Sequence, residues 1–235
     1  MKPTLIYVSD AYCCWCYGFS PVVNRIVDEN RDAVNVEILS GRMVGAGATI
    51  ATFFSHFPDP MAIHQRVTQY SGQKFGENYL RHIMKPQAST LRMDSEIPAK
   101  ALIAFEKGKP GSKLEALTQI HKAYYQEAKD LLVLESYRPV CNALGIDFQD
   151  FSELMDSPAS TDLVRREQAK VAALGVSGFP AVLLQTADKQ TIQITHGFAL
   201  YAHVAEQLKA ALSTEADRNA SLAGQVCDSA NLGRC

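Results

Sequence analysis

The sequence lacks both a charge excess and any long apolar run. Its 235 residues include 23 lysines and arginines against 25 aspartates and glutamates, a formal net charge of −2. No basic stretch interleaved with aromatic residues is present, so a nucleic acid is not expected as a partner. No apolar run approaches the roughly 18 residues that a membrane-spanning helix needs. We therefore expect a protein with neither a nucleic acid nor a membrane as partner.

Signal-peptide and metal-site patterns are also missing. The N-terminal Met1-Lys2-Pro3-Thr4 enters an apolar run directly and leaves no room for the apolar segment of a cleavable signal. We expect a cytoplasmic protein, and an exported parent whose signal was removed is the alternative. The six histidines show no paired ligand spacing. With 47% hydrophobic residues the chain can bury a full core, and we expect no metal and no cofactor.

What the sequence does have is a cluster of cysteines, Cys13-Cys14-Trp15-Cys16, between a strand pattern and a helix pattern. The run Leu5-Ile6-Tyr7-Val8 predicts the strand, and the helix pattern follows at Phe19, Val22, Val23, Ile26 and Val27. A cysteine at a helix start faces unpaired N–H groups and the positive end of the helix dipole, which favour its thiolate. The pattern predicts a redox-active dithiol whose first cysteine is a nucleophile of low pKa.

Three cysteines in four residues permit two pairings. Cys13 and Cys16 have the C-x-x-C spacing, about one helical turn apart and close enough to form a disulfide. Cys14 and Cys16 are two apart, and such residues point to different faces of a helix. We predict that Cys13 is the nucleophile and Cys16 the resolving cysteine, with half a zinc site or packing cysteines as alternatives. Cys14 is expected to point toward solvent and to tune the redox potential.

A second motif, Gly175-Val176-Ser177-Gly178-Phe179-Pro180, precedes the apolar run Ala181-Val182-Leu183-Leu184. It predicts a tight loop that enters a strand, because a proline at the first strand position gives up no ladder hydrogen bond. The bond before a proline is also where a cis peptide is tolerated, with an ordinary trans turn as the alternative.

The order of predicted elements indicates an α/β protein with a helical insertion. Strands at 4–9 and 34–39 flank the dithiol helix, strands at 181–185 and 191–195 follow the proline loop, and a helix over 201–212 closes the fold. Between them the pattern is helical, with helices predicted at 95–107, 113–129, 134–144 and 161–174. The polar residues from about 213 onward show no clear period and are expected to be loosely ordered.

The dithiol and the proline loop together resemble the thioredoxin fold, in which a cis-proline loop faces the dithiol. Pro21 matches the proline that kinks the active-site helix of that superfamily. Within it the chain looks most like the DsbA-related group, in particular FrnE-like predicted protein disulfide isomerases. That resemblance rests on Ser9-Asp10, Trp15-Cys16-Tyr17-Gly18-Phe19 and Gly178-Phe179-Pro180, with weaker matches at Ser71-Gly72-Gln73-Lys74-Phe75-Gly76-Glu77 and Ala123-Tyr124-Tyr125.

The resemblance implies a thioredoxin fold of the order βαβ…ββα with a large helical insertion. Residues 1–42 and 174–214 would form a discontinuous thioredoxin-like domain, 43–173 the helical insertion and 215–235 a polar tail. Pro180 would be cis and would bind substrate together with Phe179. Trp15 would add apolar surface and tune the dithiol, whereas Cys14 departs from the family pattern. Cys227 and Cys235 would form a second redox pair, with a dispensable tail or metal binding as the alternatives.

The activity expected is protein thiol–disulfide exchange, as an oxidase, a reductase or an isomerase, on cysteine-containing polypeptides or on small thiols such as glutathione. A buried acid that accepts the proton of the resolving thiol would aid it, and Asp10 and Glu37 are the nearest candidates. One alternative is a kappa-class glutathione transferase or 2-hydroxychromene-2-carboxylate isomerase, although that class generally has a serine where this chain has Cys13. A metal-binding or redox-sensing module that is not an enzyme is another.

Overall fold

A four-stranded mixed sheet organises the fold. The computed structural model describes residues 2–230, and the side chains of residues 2–215. Strands β1 (Thr4–Ser9) and β2 (Asn35–Ser40) run parallel, while β5 (Ala181–Gln185) and β6 (Thr191–His196) extend the sheet antiparallel beyond β1, in the order β2-β1-β5-β6. Helix α1 (Cys14–Asn30) connects β1 to the parallel β2, as the sequence predicts.

Helices cover both faces of the sheet. Alternation along β1 sends Leu5 and Tyr7 into the main core with α1 and α10 (Tyr201–Ala230), and sends Ile6 and Val8 into a smaller core on the other face. Val171 of α9 (Pro158–Ala173) fills that second core. The dithiol at the start of α1 thus lies at the carboxyl end of a strand buried on both faces.

Between β2 and β5 the chain is mainly helical, as predicted. The elements are a short ladder of β3 (Ala48–Thr49) with β4 (Arg92–Met93), helices α2 (Ile50–Phe54), α3 (Pro60–Ser71), α4 (Glu77–Met84), α5 (Glu96–Gly108), α6 (Lys113–Tyr125), α7 (Arg138–Leu144), α8 (Phe148–Asp156) and α9, and two 3₁₀ turns at Pro86–Ala88 and Leu134–Tyr137. The predicted domain boundaries at 42/43 and 173/174 stay a prediction. Helix α9, which belongs to the predicted helical insertion, packs directly against β2 of the sheet.

Several predicted helix ends are wrong. Helix α6 ends at Tyr125, four residues early, and Ala128 beyond it adopts a positive φ of 56°. Helix α9 begins at Pro158, three residues early, because the hydroxyl of Ser157 caps it by accepting from the N–H of Ser160. Helix α10 continues to Ala230, where the sequence pattern predicted an end near Leu212, since neither glycine nor proline interrupts residues 213–223.

Candidate active site

The three clustered cysteines occupy the first turn of α1. Cys13 is the N-cap residue in an extended conformation, and its Sγ accepts a hydrogen bond from the N–H of Cys16 at 3.3 Å. The N–H of Cys13 in turn donates to the carbonyl of Asp10 at 3.1 Å. All three thiols are free. The C-x-x-C spacing therefore places the sulfur of Cys13 at the backbone of Cys16, which is the arrangement that closure of a small disulfide requires.

Burial differs among these thiols. Cys16 is completely buried, whereas Cys13 keeps 5% of its surface exposed. Burial raises the pKa of the Cys13 thiol well above its usual value, the neighbouring Cys16 and Cys14 raise it further, and the Cys16 N–H opposes the shift. In this reduced structure desolvation opposes the low pKa predicted for Cys13 from its place at the helix start.

The proline loop lies against Cys13, although 166 residues separate them in sequence. The Phe179–Pro180 peptide bond is cis, and the Cys13 thiol donates to the carbonyl of Phe179 over 3.5 Å. The carbonyl of Pro180 accepts from the N–H of Gly197 at 2.7 Å, which fixes the loop to the end of β6. The Cζ end of the Phe179 ring packs against Gly41, where a Cβ would lie 2.2 Å from Cζ.

The prediction that Cys14 points toward solvent is wrong. Its side chain is half-buried and packs against the main core. Burial raises the pKa of its thiol to about 12, and Cys16 contributes to the shift. Cys14 also contributes, after burial, to the raised pKa of the hydroxyls of Tyr79, Tyr124 and Tyr125 in the aromatic cluster of α4 and α6.

Asp10 is buried but turned away from the thiols. Its carboxylate oxygens accept from the N–H groups of Tyr12 and Met43, each at 2.9 Å. Burial raises the pKa of this carboxyl, and those two N–H groups oppose the shift. No hydrogen bond among the described side chains joins this carboxylate to a cysteine, so its geometry fits a role in holding the loop before the dithiol.

His121 of α6 ties the helical region to the dithiol, a role that the sequence did not reveal. Its Nε2 lies 3.3 Å from the Asp10 carbonyl and its Nδ1 lies 3.2 Å from the Ser20 hydroxyl, which itself reaches the carbonyl of Cys16 at 3.2 Å. Since a carbonyl only accepts, Nε2 carries the proton. Burial lowers the pKa of His121 to about 4, so this histidine is neutral at physiological pH.

An aromatic surface surrounds the exposed side of the dithiol. The Trp15 ring lies 5.6 Å from that of Phe198 and 6.4 Å from that of Tyr70, measured between centroids. Together with Arg66 and Phe179 they line an open cavity of about 340 Å³. The sequence predicts Trp15 and Phe179 as part of this surface. It does not indicate Arg66, Tyr70 or Phe198, because α3 and the β6–α10 turn meet α1 only in the folded chain.

The remaining predicted residues lie elsewhere. Glu37 forms an ion pair with Lys170 of α9, with Nζ–Oε distances of 2.6 and 2.7 Å, so it is not a partner of Cys16. Cys227 and Cys235 lie outside the described side chains. Within residues 2–215, no group of three or more His, Cys, Asp or Glu side chains is arranged to hold a metal ion. None of the described helices is long and apolar enough to cross a membrane.

Several solved structures of known proteins superimpose on most of this chain. Among solved structures, a candidate protein disulfide isomerase from Nitrosomonas europaea superimposes with a TM-score of 0.76 at 23% identity, covering 91% of this chain and 99% of that one. The cytosolic disulfide reductase DsbM from Pseudomonas aeruginosa gives 0.65 at 23% identity, with 95% and 98% covered. A 2-hydroxychromene-2-carboxylate isomerase gives 0.61 at 13%, with 93% and 98% covered.

At these identities the likeness shows the fold alone. No functionally curated protein matches the sequence. The family model of the DSBA-like thioredoxin domain, however, matches residues 4–213, which is nearly the whole chain. The chain therefore belongs to the DSBA-like thioredoxin domain family.

Proposed function

We propose that this protein is a thiol–disulfide oxidoreductase that exchanges disulfides with cysteine-containing polypeptides and with small thiols such as glutathione. One observation carries the proposal: Cys13 and Cys16 share the first turn of α1, and the thiol of Cys13 faces the carbonyl of Phe179 at 3.5 Å. Family membership supports thiol–disulfide chemistry in general. The choice between reduction, oxidation and isomerisation depends on the potential of the Cys13–Cys16 couple.

In the proposed reaction Cys13 attacks as a thiolate. Its sulfur bonds to one sulfur of a substrate disulfide, the substrate S–S bond breaks, and the other substrate sulfur leaves and takes up a proton. The Cys16 thiol then loses its proton and attacks Cys13, which forms the Cys13–Cys16 disulfide and releases the second substrate thiol. Run backwards, the same steps oxidise a substrate dithiol. Cys13 acts first because it is the more exposed of the two.

The substrate surface is assigned to the aromatic cavity beside Cys13. Tyr70 is 53% exposed, so this surface offers apolar contact to a chain that brings a disulfide to Cys13. Arg66 at its edge supplies a positive charge that suits the carboxylate of a small peptide. Phe179 and Pro180 would hold the substrate at the proline loop. The DsbM neighbour is known as a complex with glutathione, which supports small thiols as one class of substrate.

The roles predicted for the other cysteines, for Trp15 and for Asp10 are also proposals, as is the cellular setting. Cys14 and Trp15 would tune the dithiol, and the half-buried position of Cys14 favours tuning over direct exchange. A second redox pair of Cys227 and Cys235 is retained as a proposal. Proton transfer by Asp10 is weakened because its oxygens face backbone N–H groups. A cytoplasmic setting is supported by the similarity to the cytosolic DsbM.

An isomerase of the 2-hydroxychromene-2-carboxylate type is the second candidate, since that fold superimposes along most of the chain. The cysteine at position 13, rather than a serine, favours the oxidoreductase.

Turnover of a fluorescent peptide disulfide with glutathione as reductant tests the proposal. We expect Cys13→Ser to abolish turnover, Cys16→Ser to accumulate a mixed disulfide on Cys13, and Cys14→Ser, the matched control one residue away, to retain most of the rate. Full activity of Cys13→Ser would refute the assignment of the nucleophile. Absence of any turnover in the wild type, together with isomerase activity, would favour the second candidate.

A further inference from the structure

Tyr7 of β1 places a hydroxyl group in the apolar core beneath the dithiol. Its side chain is 1% exposed, and its ring lies 5.9 Å from that of Phe19. Among the described residues the hydroxyl has no hydrogen bond of regular geometry. The polar side chains that interact with it are the thiols of Cys16 and Cys13 and the hydroxyl of Ser9. The oxygen of Tyr7 is thus buried and interacts with the thiols without a well-formed hydrogen bond.

An unpaired buried hydroxyl destabilises a fold, because water is lost without a replacement partner. Phenylalanine would fill the same volume without this cost. Buried polar groups almost always find partners, and one that does not calls for an explanation such as a redox or catalytic role. Because Tyr7 interacts with the resolving thiol without a well-formed hydrogen bond, a bond to Cys16 that forms fully only during the reaction supplies that explanation.

Neither Asp10 nor His121 is placed to assist the ionisation of Cys16. The carboxylate of Asp10 is turned toward Tyr12 and Met43, and the imidazole of His121 is committed to the Asp10 carbonyl and to Ser20. The other titratable groups that interact with the three thiols are four buried tyrosines: Tyr7 interacts with Cys16 and Cys13, and Tyr79, Tyr124 and Tyr125 interact with Cys14. Burial raises the pKa of Tyr7 well above its usual value, so its hydroxyl keeps its proton and acts as a donor.

We propose that Tyr7 is the hydrogen-bond donor for the resolving step, with its hydroxyl turning to the sulfur of Cys16 as that sulfur becomes a thiolate. This inference rests on the proposed function. In the step itself the Cys16 sulfur bonds to Cys13, the bond from Cys13 to the substrate sulfur breaks, and the proton that left Cys16 ends on the released substrate thiol. Tyr7 transfers neither proton nor electrons; it stabilises the negative sulfur while that sulfur waits to attack.

The test separates the two chemical steps in the full chain. Reduced protein is mixed with glutathione disulfide, quenched with acid at successive times, and mapped by mass spectrometry. The first rate is the formation of the mixed disulfide on Cys13, and the second is its conversion to the Cys13–Cys16 disulfide. We expect Tyr7→Phe to leave the first rate unchanged, to slow the second about ten- to a hundredfold, and to move the pH midpoint of the second rate upward.

Tyr137→Phe is the matched control, because it removes a buried hydroxyl that donates to the Leu131 carbonyl at 2.7 Å in the helical region. It should leave both rates unchanged. A merely structural role of Tyr7 would slow both steps and leave the pH midpoint in place, and that result would overturn the inference. So would a wild-type second rate in Tyr7→Phe. If the wild type forms no mixed disulfide on Cys13, the proposed function fails as well.

Discussion

The substitution His121→Gln tests whether the buried histidine makes stability depend on pH. His121 is fully buried between the Asp10 carbonyl and the Ser20 hydroxyl. Burial lowers its pKa from an ordinary 6.5 to about 4. The folded protein therefore holds the neutral imidazole, whereas the unfolded chain takes up a proton as the pH falls below 6.5. The stabilisation is fully present above pH 6.5 and is lost as the pH falls toward 4.

The size of this effect follows from the two pKa values. At 1.36 kcal/mol per pKa unit, the difference corresponds to about 3 kcal/mol in the free energy of unfolding, of which about 2 kcal/mol is lost by pH 5. Glutamine keeps an N–H that can reach the Asp10 carbonyl but does not titrate. His121→Gln should therefore be less stable than the wild type at pH 7.5, and the gap should narrow by about 2 kcal/mol at pH 5.

Chemical denaturation of the reduced protein at pH 7.5 and pH 5 measures both values. Other titrating groups, Asp10 included, are common to both proteins and cancel in the comparison. The matched control is His203→Gln, since His203 lies exposed on α10, and its unfolding should follow the wild type at both pH values. If the gap between His121→Gln and the wild type stays constant with pH, His121 is not a buried neutral group.

Three further substitutions probe the surface around the dithiol. Gly41→Ala would place its Cβ 2.2 Å from the ring of Phe179, so we expect a loss of about 1–3 kcal/mol in stability and at least about tenfold in turnover. The control Gly45→Ala, whose Cβ would meet no atom within 4 Å, should match the wild type. Equal activity of the two variants would contradict this packing. Cys14→Ser should retain most turnover and acquire less glutathione under oxidation, as read by mass spectrometry, and near-complete loss of activity would identify Cys14 as the nucleophile. Trp15→Ala should raise KM for a peptide disulfide several-fold with little change in kcat, and an unchanged KM would remove Trp15 from the substrate surface.

Local patterns were sufficient to predict the framework of the site. A strand, a dithiol and a helix follow one another within the first 30 residues, and the loop before Pro180 is likewise marked by its own glycines and proline. Such features depend on hydrogen bonds and turns between near neighbours in sequence, so the sequence predicts them. The order of strands and helices then follows from the connections between consecutive elements.

The surroundings of the dithiol depend on contacts between distant segments, which a single sequence does not specify. Tyr70 and His121 reach the start of α1 from helices more than 50 residues away. The burial of Cys14 against the main core likewise depends on segments that are distant in sequence. Tyr7 was available from strand alternation, because it shares a face of β1 with Leu5. Only the folded structure shows that the Tyr7 hydroxyl lies in the core without a well-formed hydrogen bond.

Identifying the disulfide that the protein forms at equilibrium tests directly whether Cys13 and Cys16 are the redox-active pair. The full chain is equilibrated with buffers of increasing ratios of oxidised to reduced glutathione, quenched with acid, and its cysteine-containing peptides are mapped by mass spectrometry. We predict a single reversible disulfide in the active site, Cys13–Cys16, whose abundance follows the two-electron equilibrium with glutathione. A dominant disulfide that contains Cys14, or a dithiol that stays reduced across the whole range, would contradict it.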